Sequence, residues 1–185
     1  MTIIAGVDEV GRGCLAGPVM ASAVILPELW QGPILKDSKK MTVKARELAY
    51  YELKQYAQIG FGSASVAEID QLGIGKASLL AMSRAVKQLP IMPDVAWVDG
   101  KIAPDLECSV ETFVGGDDLH QCISAASIVA KVERDQWMLT MAAHFPEYGF
   151  AENKGYGTKK HLAALKQHGP CRLHRVSFAP VRAAQ

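Results

Sequence analysis

Ile3-Ile4-Ala5-Gly6-Val7-Asp8-Glu9-Val10-Gly11-Arg12-Gly13 sets an apolar run, two adjacent carboxylates and a glycine–arginine–glycine turn side by side. The run Ile3–Val7 reads as a core strand. Acids delivered at the end of such a strand offer hard oxygen ligands to a divalent cation. Amide-rich, flexible backbone beside that cation suits a phosphate or a sugar. Phosphodiester chemistry is the expectation. One geometric difficulty arises at once, because successive strand side chains point to opposite faces. Asp8 and Glu9 cannot both reach a metal from a flat strand, so twist or the Glu9 backbone carbonyl must bring the second one in. Asp8 is the firmer bridging ligand.

Outward from this stretch, Val19–Leu26 reads as a second strand after Gly17-Pro18, and Ile59–Val66 as a third, bent or closely approached at its glycines. With short connections these three would form an antiparallel meander. Thr42 caps a helix carrying Leu48, Tyr51 and Leu53. Ala77–Leu89 is an amphipathic helix stopped by Pro90. Val95–Val98 is a short buried strand running into Asp99-Gly100, and Glu111–Val114 another, ending at Gly115-Gly116-Asp117. A long helix covers Leu119 to about Ala143, and its small run Ser124-Ala125-Ala126-Ser127 allows close approach to a sheet. Thr158–Gln167 is the last helix, with Gly169-Pro170 past its end. The order predicts an α/β fold, a five-stranded mixed sheet flanked by helices with a helical C-terminal extension.

The chain has 185 residues, 49% hydrophobic and 21% charged, enough for one domain with a sizeable core. No apolar run reaches the roughly 20 residues of a membrane span. Cys14, Cys108, Cys122 and Cys171 lack the paired spacing of a zinc site, and free thiols fit a reducing, cytoplasmic setting. The start lacks the features of a signal peptide. A net charge of +1 hides an asymmetry, because from Asn153 to Gln185 there is no acid but seven Lys or Arg and three His. A basic end on an acid-bearing body suits a polyanion, although it also describes a plain solvated tail.

Asp8-Glu9, Asp99 and Asp117 each fall at an expected strand end within two residues of glycine. If those strands are neighbours, the acids share one cleft, and their repulsion requires divalent cations. Singly, each acid equally fits a turn cap. Spacing alone does not prefer Asp99 and Asp117 over Asp94, Asp105, Glu107 or Asp118.

The wider pattern resembles the ribonuclease HII family. The resemblance is carried by Gly6–Gly13, Asp37-Ser38-Lys39-Lys40, Val98-Asp99-Gly100, Gly116-Asp117, Ser124–Lys131, Arg134-Asp135, Lys154-Gly155-Tyr156, His168-Gly169 and Ser177-Phe178, in family order over nearly the whole chain. It implies an RNase H-like fold in a single catalytic domain, 1–185, whose basic segment 144–185 completes the substrate cleft. It implies endonucleolytic cleavage of RNA in RNA–DNA hybrids, and incision 5′ of single ribonucleotides in duplex DNA, leaving 3′-hydroxyl and 5′-phosphate ends. The catalytic and metal-binding acids would be Asp8, Glu9, Asp99 and Asp117, holding Mg²⁺ or Mn²⁺ in a two-ion mechanism. Gly11, Arg12 and Gly13 would recognise the ribose 2′-OH, Tyr156 would stack on the following deoxyribose, and Ser38, Lys39 and Lys40 would contact phosphates. A monomer without membrane contact is expected, with a replication clamp as a conceivable partner.

Four departures from the family pattern stand out: Cys14, Lys101 and Gly157 replace commoner residues, and Asp118 adds an acid beside Asp117. Cys14 is expected to be a packing residue, and Lys101 to place a cation near the metals. Gly73-Ile74-Gly75-Lys76 lacks the first glycine and the Ser/Thr of a phosphate loop and reads as a helix entry. The five histidines show no metal spacing and are expected at the surface or at caps, with His161 and His168 near phosphates. Two rival readings have distinct consequences. A type 1 ribonuclease H or a resolvase would favour long hybrids or branched DNA. A non-catalytic binding module would show steep salt dependence and no metal-dependent cutting.

Overall fold

A computed structural model describes residues 2–185. Five strands form one mixed sheet: β1 (Ile4–Val10), β2 (Val19–Ile25), β3 (Gln58–Ala64), β4 (Val95–Asp99) and β5 (Ser109–Phe113), in the order β3-β2-β1-β4-β5. β1, β2 and β3 are antiparallel, whereas β4 and β5 run parallel to β1. The meander is as expected, but the β2–β3 connection is not short. It holds a 3₁₀ turn at Ser38–Lys40 and helix α1 (Val43–Tyr56). Thr42 caps α1 by accepting from the Ala45 N–H.

α2 (Val66–Leu72) follows β3 directly, so Val66 starts a helix rather than ending a strand. Gly73 separates α2 from α3 (Ile74–Lys87), which confirms the helix-entry turn at this glycine-rich run. The expected long helix runs unbroken as α5 (Gln121–Ala142), and a separate short helix, α4 (Gly116–Leu119), precedes it across His120 where the sequence reading placed a strand end. The C-terminal extension adds α6 (Phe150–Asn153), α7 (Lys159–His168), capped by Thr158, and α8 (Ala179–Arg182).

α3 and α5 cover opposite faces of the sheet, and glycine sets how close they come. A Cβ at Gly62 would stand 2.0 Å from the Ala81 carbonyl oxygen of α3, and one at Gly6 would stand 2.0 Å from the Cys122 carbonyl carbon of α5. Each face holds its own core. Ala5, Val7, Ala21, Met82 and Val98 pack on the α3 side, and Val24, Leu53, Ile128 and Val129 on the α1–α5 side. Burial of this kind stabilises by about 25 cal/mol per Å² of apolar surface. A third cluster, Ala16, Met138, Tyr148, Phe150 and Leu173, binds the C-terminal extension to the loop after β1. Among the described residues no helix is long and apolar enough to cross a membrane.

Candidate active site

β1 continues through both acids to Val10, so Asp8 and Glu9 lie inside the strand and not at its end. The pleat then separates them as the alternation rule requires. Asp8 pairs with Ser22, whose hydroxyl donates to the Ala126 carbonyl of α5 at 2.7 Å, so Asp8 faces α5. Glu9 pairs with Ala21, a residue of the α3-side core, and takes the Arg12 guanidinium at 3.3 Å. Parallel pairing of Val7 with Val98 sets Asp99, the last residue of β4, beside Asp8. Asp117 is not at a strand end either; it sits in the first turn of α4. The Asp99 Oδ1 accepts the Gly116 N–H at 2.9 Å, which ties α4 to the end of β4.

The four acids form one electrostatic group. Burial first, then the charges of Glu9 and Asp99, hold the Asp8 carboxyl well above the usual range. The Glu9 N–H, 2.7 Å from Asp8 Oδ1, and the Ser127 hydroxyl act in the opposite sense. Burial also raises Glu9, with Arg12 opposing and Asp99 adding to the rise. Asp117 is raised by burial, then by Asp37 and Asp99. Asp99 thus acts on all three of the others.

Among the described residues no three His, Cys, Asp or Glu side chains close on a single point as a ready-made metal cage. The acids gather along one edge instead. The donors are hard carboxylates, desolvated and mutually repelling, which fits a cation that takes a few carboxylates and completes its shell with water and phosphate oxygens. Mg²⁺ and Mn²⁺ meet that description.

Beside the acids lies a cleft of about 520 Å³. Glu9 lines it, as do Gly11, Arg12 and Gly13 of the turn, with Ser38, Lys39, Ser127, Lys131 and Tyr156 completing the wall. Of the sequence-predicted binding residues, only Lys40 is outside this lining, and its ammonium rests on the Asp118 carboxylate at 2.5 Å. Ser38 is buried, and its hydroxyl shares a 2.8 Å hydrogen bond with Ser127. The Tyr156 ring is partly exposed, with the Lys131 ammonium 5.7 Å from its centre. Burial, with Cys14 next to it, pushes the Tyr156 hydroxyl up to about 12. Cys14 is fully buried, as a packing residue should be. Lys101 is exposed in the turn after Asp99.

Sequence reading missed what holds this cleft together. Arg134 and Arg175 are both 0% exposed. Arg134 donates to the carbonyls of Pro18, Ala16 and Lys154, at 3.1, 3.0 and 2.8 Å. Arg175 belongs to the basic segment assigned to a polyanion, yet it donates inward to Gly17, Arg12 and Gly11, at 2.9, 2.9 and 2.7 Å. His161 and His174 are also buried, against the expectation of surface positions, and their Nε2 atoms lie 3.0 Å apart. The signal available was weak: Arg134 falls in a family block and Arg175 two residues before one, the two histidines fall outside the blocks, and nothing local marks any of the four as buried.

Clustered carboxylates on a mixed sheet, beside a cationic and amide-lined cleft, define a metal-dependent nucleic-acid hydrolase. Comparison with known proteins narrows the class. The family model for ribonuclease HII matches residues 5–181. A ribonuclease HII from Burkholderia lata is 52% identical over 184 residues, 98% of this chain and 86% of that one. The ribonuclease H2 from Pyrococcus horikoshii OT3 superposes with a TM-score of 0.84 at 24% identity, covering 98% of this chain and 96% of that one. A ribonuclease HIII (Bst-RNase HIII) solved in complex with Mn²⁺ has a TM-score of 0.73 at 16% identity, covering 99% of this chain and 69% of that one. The chain belongs to the ribonuclease HII family. It has the RNase H-like fold and is a metal-dependent endoribonuclease acting on the RNA of RNA–DNA hybrids.

Proposed function

We propose that this enzyme, besides cutting hybrids, incises duplex DNA on the 5′ side of a single embedded ribonucleotide, leaving 3′-hydroxyl and 5′-phosphate ends. The observation that carries the proposal is the double membership of Glu9. It belongs to the coupled acid group and also lines the cleft that contains the Gly11–Gly13 turn and Tyr156. Hydrolysis and sugar recognition therefore adjoin.

In this reading Asp8, Glu9, Asp99 and Asp117 are the catalytic, metal-holding acids. Two Mg²⁺ or Mn²⁺ ions held by them would supply an acidified water and a counter-charge for the leaving oxygen of an in-line displacement. The Mn²⁺ complex of the structurally similar ribonuclease HIII and the all-carboxylate donor set support either metal. Burial of Asp8 keeps solvent from screening the charges that act on the phosphate. The amides of the glycine–arginine–glycine turn read the ribose 2′-OH, which alone distinguishes a ribonucleotide from its neighbours. Tyr156 stacks on the following deoxyribose. Lys39 neutralises phosphates in the cleft, and Lys131 and Lys40 join it once they leave Asp135 and Asp118. The whole of 1–185 acts as one domain, with 144–185 closing the cleft through Tyr156, in a monomeric cytoplasmic enzyme of ribonucleotide repair.

The test is cleavage of a labelled duplex containing one ribonucleotide with Mg²⁺ or Mn²⁺, comparing the native enzyme with Asp8→Asn and Asp99→Asn. A single cut 5′ of the ribonucleotide is expected, with both variants slower by about 10²-fold or more. Undiminished cutting by both variants would place the chemistry elsewhere. Cutting of long hybrids with none at a single ribonucleotide would favour the type 1 substrate range.

A further inference from the structure

Arg175 makes an unusual set of bonds for a buried cation. Its guanidinium donates to three backbone carbonyls, and among the described residues it forms no salt bridge with a carboxylate. Burial lowers its pKa to about 10, which leaves it charged at neutral pH. The Asp70 carboxylate, bound to the Val176 and Ser177 N–H groups, acts on it without contact, and a buried charge whose direct partners are neutral carbonyls is costly to keep. What the arrangement achieves is specific. Two of the three carbonyls, those of Gly11 and Arg12, belong to consecutive peptides of one turn.

A trans peptide points its C=O and the following N–H in opposite directions. Fixing the Gly11 carbonyl inward therefore turns the Arg12 N–H outward, and fixing the Arg12 carbonyl inward does the same for the Gly13 N–H. Arg175 is fully buried behind the turn, while Gly11, Arg12 and Gly13 line the cleft in front of it. Among the described residues neither the Arg12 nor the Gly13 N–H has a protein acceptor. Two adjacent free donors facing a cleft suit a single oxygen with lone pairs to offer.

We infer that Arg175 is a positioning residue for ribose recognition: it locks two consecutive carbonyls of the turn inward so that the Arg12 and Gly13 amides meet the sugar hydroxyl. This rests on the proposed role of the cleft as the ribonucleotide site, and extends it to a residue that never touches substrate. A purely structural clamp would lower stability alone. A positioning clamp sets the preference for ribose over deoxyribose.

The experiment measures binding of two duplexes, one with a single ribonucleotide and one all-deoxy, without divalent metal so that neither is cut. Native enzyme is compared with Arg175→Lys and Arg175→Gln, and the Arg12 and Gly13 amides are followed by NMR. The native enzyme should prefer the ribonucleotide duplex, and those amides should exchange freely until it binds. Either variant should lose about tenfold in preference, the worth of one or two hydrogen bonds, while keeping the salt dependence of all-deoxy binding.

A native preference that survives in a folded variant would overturn the role of Arg175 and leave the cleft assignment standing. No native preference would overturn both. Should neither variant fold, the native amides decide: protection from exchange before substrate binds would mean that they face inward, and would refute the inference.

Discussion

The Asp99 carboxylate accepts the backbone N–H of Gly116 at 2.9 Å, so one acid of the site holds the helix that carries another. Charge and scaffolding are separable at this position. In Asp99→Asn the amide oxygen still accepts from Gly116, and only the charge is lost. In Asp99→Ala both are lost, and a buried N–H is left without its partner. Asp99→Asn is expected to fold with native stability within about 1 kcal/mol, whereas Asp99→Ala should lose about 1–3 kcal/mol. Denaturant melts of the two variants check this, and equal stability would show that the Gly116 bond does not order α4.

In the proposed role Asp8 trades stability for function. Its carboxyl is buried beside Glu9 and Asp99, and both repel its charge. In metal-free buffer Asp8→Asn should raise Tm by a few degrees, the equivalent of about 1 kcal/mol in a domain of this size. Divalent metal should reverse the order. Ligand at a hundred times its Kd stabilises the native protein by about 2.7 kcal/mol, and the variant should gain far less. Thermal melts with and without Mg²⁺ or Mn²⁺ test both halves. A variant that is less stable without metal would mean that other contacts outweigh the repulsion.

How far the sequence foretold this architecture follows from the range of each interaction. The β1 and β2 strands, the cap at Thr42 and the stop at Gly169 are local signals, and all four appear in the fold. α2 was missed although Ser65 and Glu68 form a complete capping box, because Val66 extends the apolar look of the strand before it. The four candidate acids stood out only because family motifs surround them, and their placement in β1, at the end of β4 and in α4 depends on pairing that spacing does not encode. The clamps were the least legible. Arg175 is 164 residues from Gly11, and in composition it is one more cation in a basic segment. Burial of an arginine is decided by where distant carbonyls end up, and no local pattern records that.

Gly11 and Gly13 flank Arg12, yet their glycines serve different ends. Gly11 has φ +92°, and a Cβ there would stand 2.3 Å from the Arg134 Nε. Gly13 has no such torsion, and a Cβ would meet nothing within 4 Å. Gly11→Ala should therefore cost roughly 2 kcal/mol or more through backbone strain and displacement of Arg134. Gly13→Ala should fold as the native protein does but cleave poorly, because its methyl group occupies cleft space meant for substrate. Melting curves and cleavage rates on the two variants separate the effects. Full activity in Gly13→Ala would remove the case for close approach of a sugar at that residue.

The buried histidine pair predicts an acid-sensitive fold. The Cys171 N–H donates to His174 Nδ1 at 3.0 Å, which puts the His174 proton on Nε2. That proton faces His161 Nε2, so His161 carries its own proton on Nδ1 and donates it to the Tyr156 carbonyl at 2.8 Å. The chain is consistent only when both rings are neutral. Burial lowers both pKa values, His174 to about 4 with help from His161. In the unfolded chain both titrate near 6.5. The unfolded state therefore binds more protons between these values, and stability must fall as pH drops from about 6.5 towards 4. It is fully present above that window and changes no further from this source below it. The His174 shift alone corresponds to about 3 kcal/mol. Urea unfolding at pH 7.5 and pH 5 measures the loss, and His174→Gln should flatten the pH slope by removing one of the two titrating rings. Because the chain ends on the Tyr156 carbonyl, mild acid should also disturb the tyrosine that lines the cleft before the whole protein unfolds. A native enzyme equally stable at both pH values would mean that the rings accept a shared proton without strain.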